Sequence, residues 1–171
     1  MTLSLDEAKT IQLDRMRYTK NTFSSRMVYL AILFDVLYFV SIYESDVGTW
    51  YYTWLIGLSI VYNLVFMLIS FLSSEGVKSY KAGYGYVLLG LGAGQIARIF
   101  ILPAMAHASL TKRSDTVLKK VLEVPVMETP QFILVIVLLC LSAACCLIAG
   151  AAAVQRSHRL NAYNASLVEK A

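Results

Sequence analysis

Residues 131–154 read QFILVIVLLCLSAACCLIAGAAAV, a run that contains no charged side chain. An α-helix rises about 1.5 Å per residue, so roughly 20 apolar residues cross the ~30 Å hydrocarbon core of a bilayer. Three further long apolar runs occupy residues 24–43, 50–72 and 82–106. These runs predict an all-α integral membrane protein whose four transmembrane helices form one domain.

The composition of the chain supports the same class. Its 171 residues are 58% hydrophobic and 15% charged, whereas a soluble domain is about half apolar and a quarter charged. The net charge of +4 comes from basic residues beside the apolar runs, where they anchor helices in the bilayer. No basic stripe interleaved with aromatic residues occurs, so membrane lipid is expected as a partner and nucleic acid is not.

The charges beside the runs predict the orientation of the chain. Residues 44–49 contain acidic residues and no basic one, whereas the other segments that flank the runs are basic. Because cytoplasmic segments are enriched in Lys and Arg, both termini are predicted to be cytoplasmic. Residues 107–130 then form an outer loop, against the trend of its four basic residues, and residues 155–171 form a cytoplasmic tail. A long polar segment precedes the first run without a cleavage pattern, which favours the plasma (inner) membrane of a bacterium.

Two short amphipathic helices are predicted outside the four runs. In residues 1–23, Ser4 and Glu7 fit a capping box, and apolar residues recur at helical spacing. We expect this segment to lie on lipid headgroups or against a partner subunit, with the two alternatives equally weighted. In the outer loop, Ser114 is the predicted cap of a short helix that ends before Pro125. Its apolar face is predicted to consist of Val117, Leu118, Val121 and Leu122.

Small residues indicate close helix packing in the third and fourth runs. Gly90 and Gly94 form a G-x-x-x-G pattern, and Ala97 and Arg98 are predicted to continue the same face. Small residues at such positions let a second helix approach closely. Gly150 lies in a second small-residue face, in the fourth run. Two such faces in a chain of four spans favour partner subunits or self-association.

Four strongly polar residues lie well inside the predicted spans, namely Asp35, Asn63, Gln95 and Arg98. Intramembrane ionisable residues are expensive and are usually paired within the bundle. At the helical rise, Asp35 lies about 16 Å and Arg98 about 21 Å from the same membrane surface, so the two are predicted to pair. The favoured interpretation is a structural ion pair, aided by Asn63. The alternatives are a proton- or anion-coupled transport site, or an Arg98 that pairs with another subunit or reaches the outer interface. Gln95 has no assigned role.

Motifs of catalysis and of cofactor or metal binding are not found in the sequence. It has no Walker loop, no HExxH and no G-x-S-x-G, and the three cysteines lie in one apolar run without a nearby ligand partner. We therefore expect a non-catalytic small membrane subunit of a larger assembly, most of all a multi-subunit transporter such as the ABC type. The alternative is a stand-alone homo-oligomeric transporter or channel for a small solute or ion, using Asp35 and Arg98.

Overall fold

The computed structural model describes residues 5–43, 53–115 and 120–169, and helices account for most of them. Within these described residues, four segments are long and apolar enough to cross a membrane, as the sequence predicts. The helices are α1 (Leu5–Tyr18), α2 (Thr22–Tyr43), α3 (Thr53–Lys78), α4 (Ala82–Ile101), α5 (Pro103–Ala108) and α6 (Thr129–Glu169), and the strands are β1 (Leu110–Asp115) and β2 (Lys120–Pro125).

The long helices form an antiparallel bundle in which α6 packs against both α4 and α2, and α3 closes the ring between α2 and α4. Large apolar side chains such as Leu68, Phe71 and Ile133 cover the outside of the bundle and are about half exposed. Serine side chains bridge the interior: Ser25 Oγ lies 2.7 Å from Ser74 Oγ, and Ser142 Oγ donates to the Ala31 carbonyl at 3.0 Å. Since lipid tails are as apolar as leucine, such polar and close contacts stabilise helix association in a bilayer.

The prediction of a short helix in the outer loop is wrong. Residues 110–115 and 120–125 pair instead as two antiparallel strands, with Leu110 opposite Pro125 and Asp115 opposite Lys120, so Ser114 lies in a strand and caps no helix. An isolated helix shorter than about 12 residues is marginal in water, and pairing two strands satisfies the same backbone groups. Val117 and Leu118 of the predicted apolar face lie outside the described residues.

The helix of the fourth run extends well beyond residue 154. It is continuous to Glu169, so most of the predicted tail, residues 155–171, is helical. The N-terminal α1 packs beside this extension, where Tyr163 Oη donates to Asp14 Oδ1 at 2.9 Å. Both ends of the described chain therefore lie at the same end of the bundle. The predicted cap Ser4 lies outside the described residues.

The third run is interrupted near its end. Helix α4 ends at Ile101, Leu102 turns, and Pro103 begins α5. Proline has no amide hydrogen and a fixed φ, so it fits the first turn of a helix and disrupts a helix interior. Residues 82–106 of the predicted span therefore contain two helices that follow one another directly.

Candidate functional site

Polar side chains from three helices meet inside the bundle. Asp35 of α2 accepts two hydrogen bonds at Oδ1, from Gln95 Nε2 at 2.8 Å and from Arg98 Nη1 at 3.3 Å. Arg98 Nη1 also donates to Asn63 Oδ1 of α3 at 2.9 Å. All four residues are 5% exposed or less. We call Asp35, Asn63, Gln95 and Arg98 the polar centre. The structure thus brings together the four intramembrane polar residues that the sequence singled out.

Each member of the polar centre comes from a defined position in its helix. Gln95 and Arg98 are three residues apart on α4, so they share one helical face. The asparagine is held by its own helix, because Asn63 Nδ2 donates to the Ser59 carbonyl one turn earlier at 2.8 Å. Gln95, which had no assigned role in the sequence analysis, makes the shorter of the two hydrogen bonds to Asp35.

Two tyrosine rings enclose the guanidinium group of Arg98. Its Cζ atom lies 4.3 Å from the ring centroid of Tyr38 and 4.6 Å from that of Tyr62. Cation–π attraction is strongest where the charge is removed from water, and Tyr38 is fully buried. Sequence reasoning missed both tyrosines. The available signal was spacing, because Tyr38 follows Asp35 by three residues and Tyr62 is adjacent to Asn63.

Hydrogen bonding in the polar centre is incomplete. Six buried side-chain atoms of the described residues find no hydrogen-bond partner, and four of them lie here: Asp35 Oδ2, Gln95 Oε1, Arg98 Nη2 and the hydroxyl of the adjacent Tyr38. Buried polar groups in native proteins are nearly always hydrogen-bonded, and each exception calls for an explanation. The centre therefore retains unused donors and acceptors around an ion pair.

The glycines that pack helices within the chain are not the predicted pair. A Cβ atom at Gly92 would lie 2.8 Å from Leu147 Cγ, and one at Gly150 would lie 2.8 Å from the Gly85 carbonyl oxygen. A Cβ at Gly90 would meet nothing within 4 Å, and one at Gly94 would meet only the Tyr62 hydroxyl, at 3.4 Å.

The predicted face of α4 therefore needs correction. Gly85, Gly92 and Gln95 lie on the buried face together with Arg98, whereas Gly90 and Ala97 are exposed. At 100° per residue, Gly90 lies about 160° around the helix from Gly92. The G-x-x-x-G pattern identified small residues but not the side of the helix that the bundle uses.

The histidines make their contacts away from the polar centre, whereas the buried Cys146 lies near Asp35. His107 stacks on Phe132 with a centroid distance of 4.3 Å, and His158 Nε2 lies 3.0 Å from the Tyr86 hydroxyl. The three cysteines are free thiols. Across residues 5–43, 53–115 and 120–169, no group of three or more His, Cys, Asp or Glu residues is positioned to hold a metal ion.

Comparison with known proteins gives no relative: no protein-family model, curated protein or solved structure matches the chain. Fold and site together define a class, which is a multi-pass helical membrane protein with an ion pair buried between three of its helices.

Proposed function

We propose that the chain is a non-catalytic integral membrane subunit of a larger assembly, with a multi-subunit transporter as the leading expectation. The observation that carries this proposal is a second small-residue face on α4. Gly90, Ala93 and Ala97 are exposed and follow one another at spacings of three and four residues, so they form a stripe along one side of the helix. We call these three residues the outer stripe.

The outer stripe is not needed by the bundle itself. The opposite face of α4 already packs on α6 through Gly85 and Gly92. Large apolar residues such as Val87, Ile96 and Phe100 flank the stripe and are at least 42% exposed. Small residues between larger exposed ones favour a second transmembrane helix as the neighbour of this face, because they let the backbone of that helix approach closely.

The part of α6 beyond residue 154 adds a second surface to the assembly. At about 1.5 Å per residue, the helix continues roughly 22 Å past the end of its apolar run. Helix α1 lies beside it and is held by the Tyr163–Asp14 hydrogen bond. A pair of helices that projects from the bundle offers polar contacts to a partner outside the hydrocarbon layer.

Enlarging the outer stripe is expected to remove partner subunits and leave the bundle folded. We expect Gly90→Leu/Ala97→Leu to abolish co-purification of partner proteins, because the added side chains block the close approach of a second helix to α4. The measurement is native gel electrophoresis and mass spectrometry of complexes extracted in mild detergent. Ala144→Leu/Ala151→Leu is the matched control, since both alanines are exposed on α6 at the same seven-residue spacing. A wild-type protein that migrates as a monomer without a partner contradicts the proposal.

A second candidate function is favoured by the incomplete hydrogen bonding of the polar centre. We propose as the alternative a stand-alone homo-oligomeric transporter or channel for a small solute or ion. In this reading Asp35 and Arg98 bind the transported species or a coupled proton, and Asn63 and Gln95 orient them. The four unpaired atoms support this reading, because intramembrane ionisable groups in transporters mark ion and proton pathways.

Removing the charge of Asp35 tests this alternative. If the centre transports protons or anions, Asp35→Asn abolishes flux while the variant still assembles, because the amide keeps the shape and loses the charge. The measurement is the response of an encapsulated pH dye in proteoliposomes, with an imposed potential and with chloride as the test anion. Ser70→Ala is the control, since Ser70 Oγ is also buried in α3 without a hydrogen-bond partner. Loss of folded protein, instead of loss of flux, indicates a structural pair.

A further inference from the structure

The end of the bundle that carries both termini is held by a set of polar contacts. Arg156 Nη1 of α6 donates to the side-chain oxygen Oδ1 of Asn21 at 2.7 Å. The backbone N–H of Asn21 donates to the Lys78 carbonyl at 3.1 Å. Ser157 Oγ donates to the Tyr80 carbonyl. These bonds join the α1–α2 link, the α3–α4 turn and α6. They fix the Arg156 guanidinium at the place where the helices emerge from the bundle.

A cavity of about 810 Å³ opens next to this contact set, between α1 and the extension of α6. Three cationic side chains line it, Lys9, Arg156 and Arg159, and no carboxylate lies among its described lining residues. On α1, Asp14 accepts the Tyr163 hydrogen bond and lies 4.0 Å from Arg17. The cavity is therefore basic. We call it the basic groove.

The height of the basic groove matches the lipid headgroup layer. The apolar run of α6 ends at Val154, and Arg156 and Arg159 follow it by about 3 Å and 7.5 Å along the helix. A bilayer of ~30 Å hydrocarbon thickness is about 40–45 Å thick with its headgroups, which leaves roughly 5–7 Å for each headgroup layer. Both guanidinium groups can thus reach a phosphate that remains attached to membrane-embedded acyl chains.

The groove is lined by apolar, aromatic and cationic residues, which suits a lipid headgroup and its glycerol region. Leu13 and Met16 of α1 are partly buried in its wall and supply apolar surface for the glycerol region. The aromatic residues Tyr80 and Tyr163 also line it, and tyrosine is enriched at the membrane–water interface. Arginine binds phosphate oxygens through paired N–H donors in a planar fork.

We propose that the basic groove is a binding site for the phosphate headgroup of an anionic membrane lipid. Lys9, Arg156 and Arg159 neutralise the phosphate, and the acyl chains of the lipid extend along the bundle. Basic pockets at the membrane surface of helical bundles bind anionic headgroups by this chemistry. The proposal is independent of the function of the polar centre and of the outer stripe, because it uses none of their residues.

Native mass spectrometry of the full-length protein released from nanodiscs tests the site. The nanodiscs contain equal amounts of phosphatidylglycerol and phosphatidylcholine, and the quantity measured is the phosphatidylglycerol retained per chain. We expect Lys9→Gln/Arg159→Gln to weaken retention about 30-fold, since each cation near an anionic surface contributes on the order of a fivefold effect. Arg15→Gln/Arg26→Gln makes the same charge change at exposed positions outside the groove, and is expected to retain the lipid.

Further arms separate the possible outcomes. Arg159→Lys is expected to keep most of the retention, because it preserves the charge. Inorganic phosphate at the same concentration is expected to displace little lipid, since it lacks acyl chains. Equal loss in the groove and control variants, equal retention of phosphatidylcholine, or full displacement by inorganic phosphate each overturns the proposal. Thermal unfolding of both variants checks that the bundle is intact.

Discussion

Replacing Asp35 with alanine is expected to lower the free energy of unfolding by about 3–5 kcal/mol, which is the usual effect of removing one partner of a buried ion pair. The substitution leaves the Arg98 guanidinium at 5% exposure without its carboxylate. It also removes the acceptor of the Gln95 side chain. Reversible unfolding in mixed micelles measures the effect, with helix content and a tryptophan signal as independent probes.

A double variant distinguishes the effect of breaking the ion pair from the effect of burying two charges. Asp35→Leu/Arg98→Met replaces both charges by apolar groups, and such replacements are often neutral or stabilising. We therefore expect the double variant to recover most of the stability that Asp35→Ala loses. If Asp35→Ala alone is as stable as the wild type, the pair does not stabilise the bundle. If the double variant recovers stability but not flux, the ion pair serves transport.

The arrangement around Arg98 bears on that choice. The positive charge of its guanidinium group is balanced by the Asp35 carboxylate and by the ring faces of Tyr38 and Tyr62. Yet the centre leaves Asp35 Oδ2 and Arg98 Nη2 unpaired, and a partly satisfied buried network is less stable than an apolar core of the same volume. The transport alternative assigns these two atoms a partner, the transported ion or proton, which a structural pair does not.

The membrane class and the spans could be predicted because they depend on the solvent that each helix meets. A run such as residues 131–154 is apolar all round, and its length alone matches a bilayer. The pairing of Asp35 with Arg98 was also predictable, from depth along the helices and from the energy of an unpaired charge.

Details that depend on helix rotation were not predictable to the same degree. The pattern at Gly90 and Gly94 has the composition of a packing face, but an apolar helix in lipid gives no amphipathic signal for its inner side. The side is set by Arg98, which must face the bundle, and Gln95 and Gly92 follow from it at helical spacing. The paired strands at residues 110–115 and 120–125 were missed for another reason, since short apolar segments fit a strand or a helix equally well.

Replacing Gly150 with isoleucine is expected to destabilise the bundle by about 3 kcal/mol, at the upper end of the usual effect of overpacking. A Cβ atom there lies 2.8 Å from the Gly85 carbonyl oxygen and 3.0 Å from Leu89 Cγ, so a backbone must move and α4 must shift away from α6. Gly90→Ile is the matched control, because a Cβ at Gly90 meets nothing within 4 Å. The free energy of unfolding of Gly90→Ile should stay within about 0.5 kcal/mol of the wild type.

Because α4 carries Gln95 and Arg98, Gly150→Ile should also alter the environment of the polar centre. The measurement is a changed near-ultraviolet circular dichroism signal of the adjacent tyrosines. Equal stability of the Gly150 and Gly90 variants contradicts the packing of α4 on α6 through these glycines.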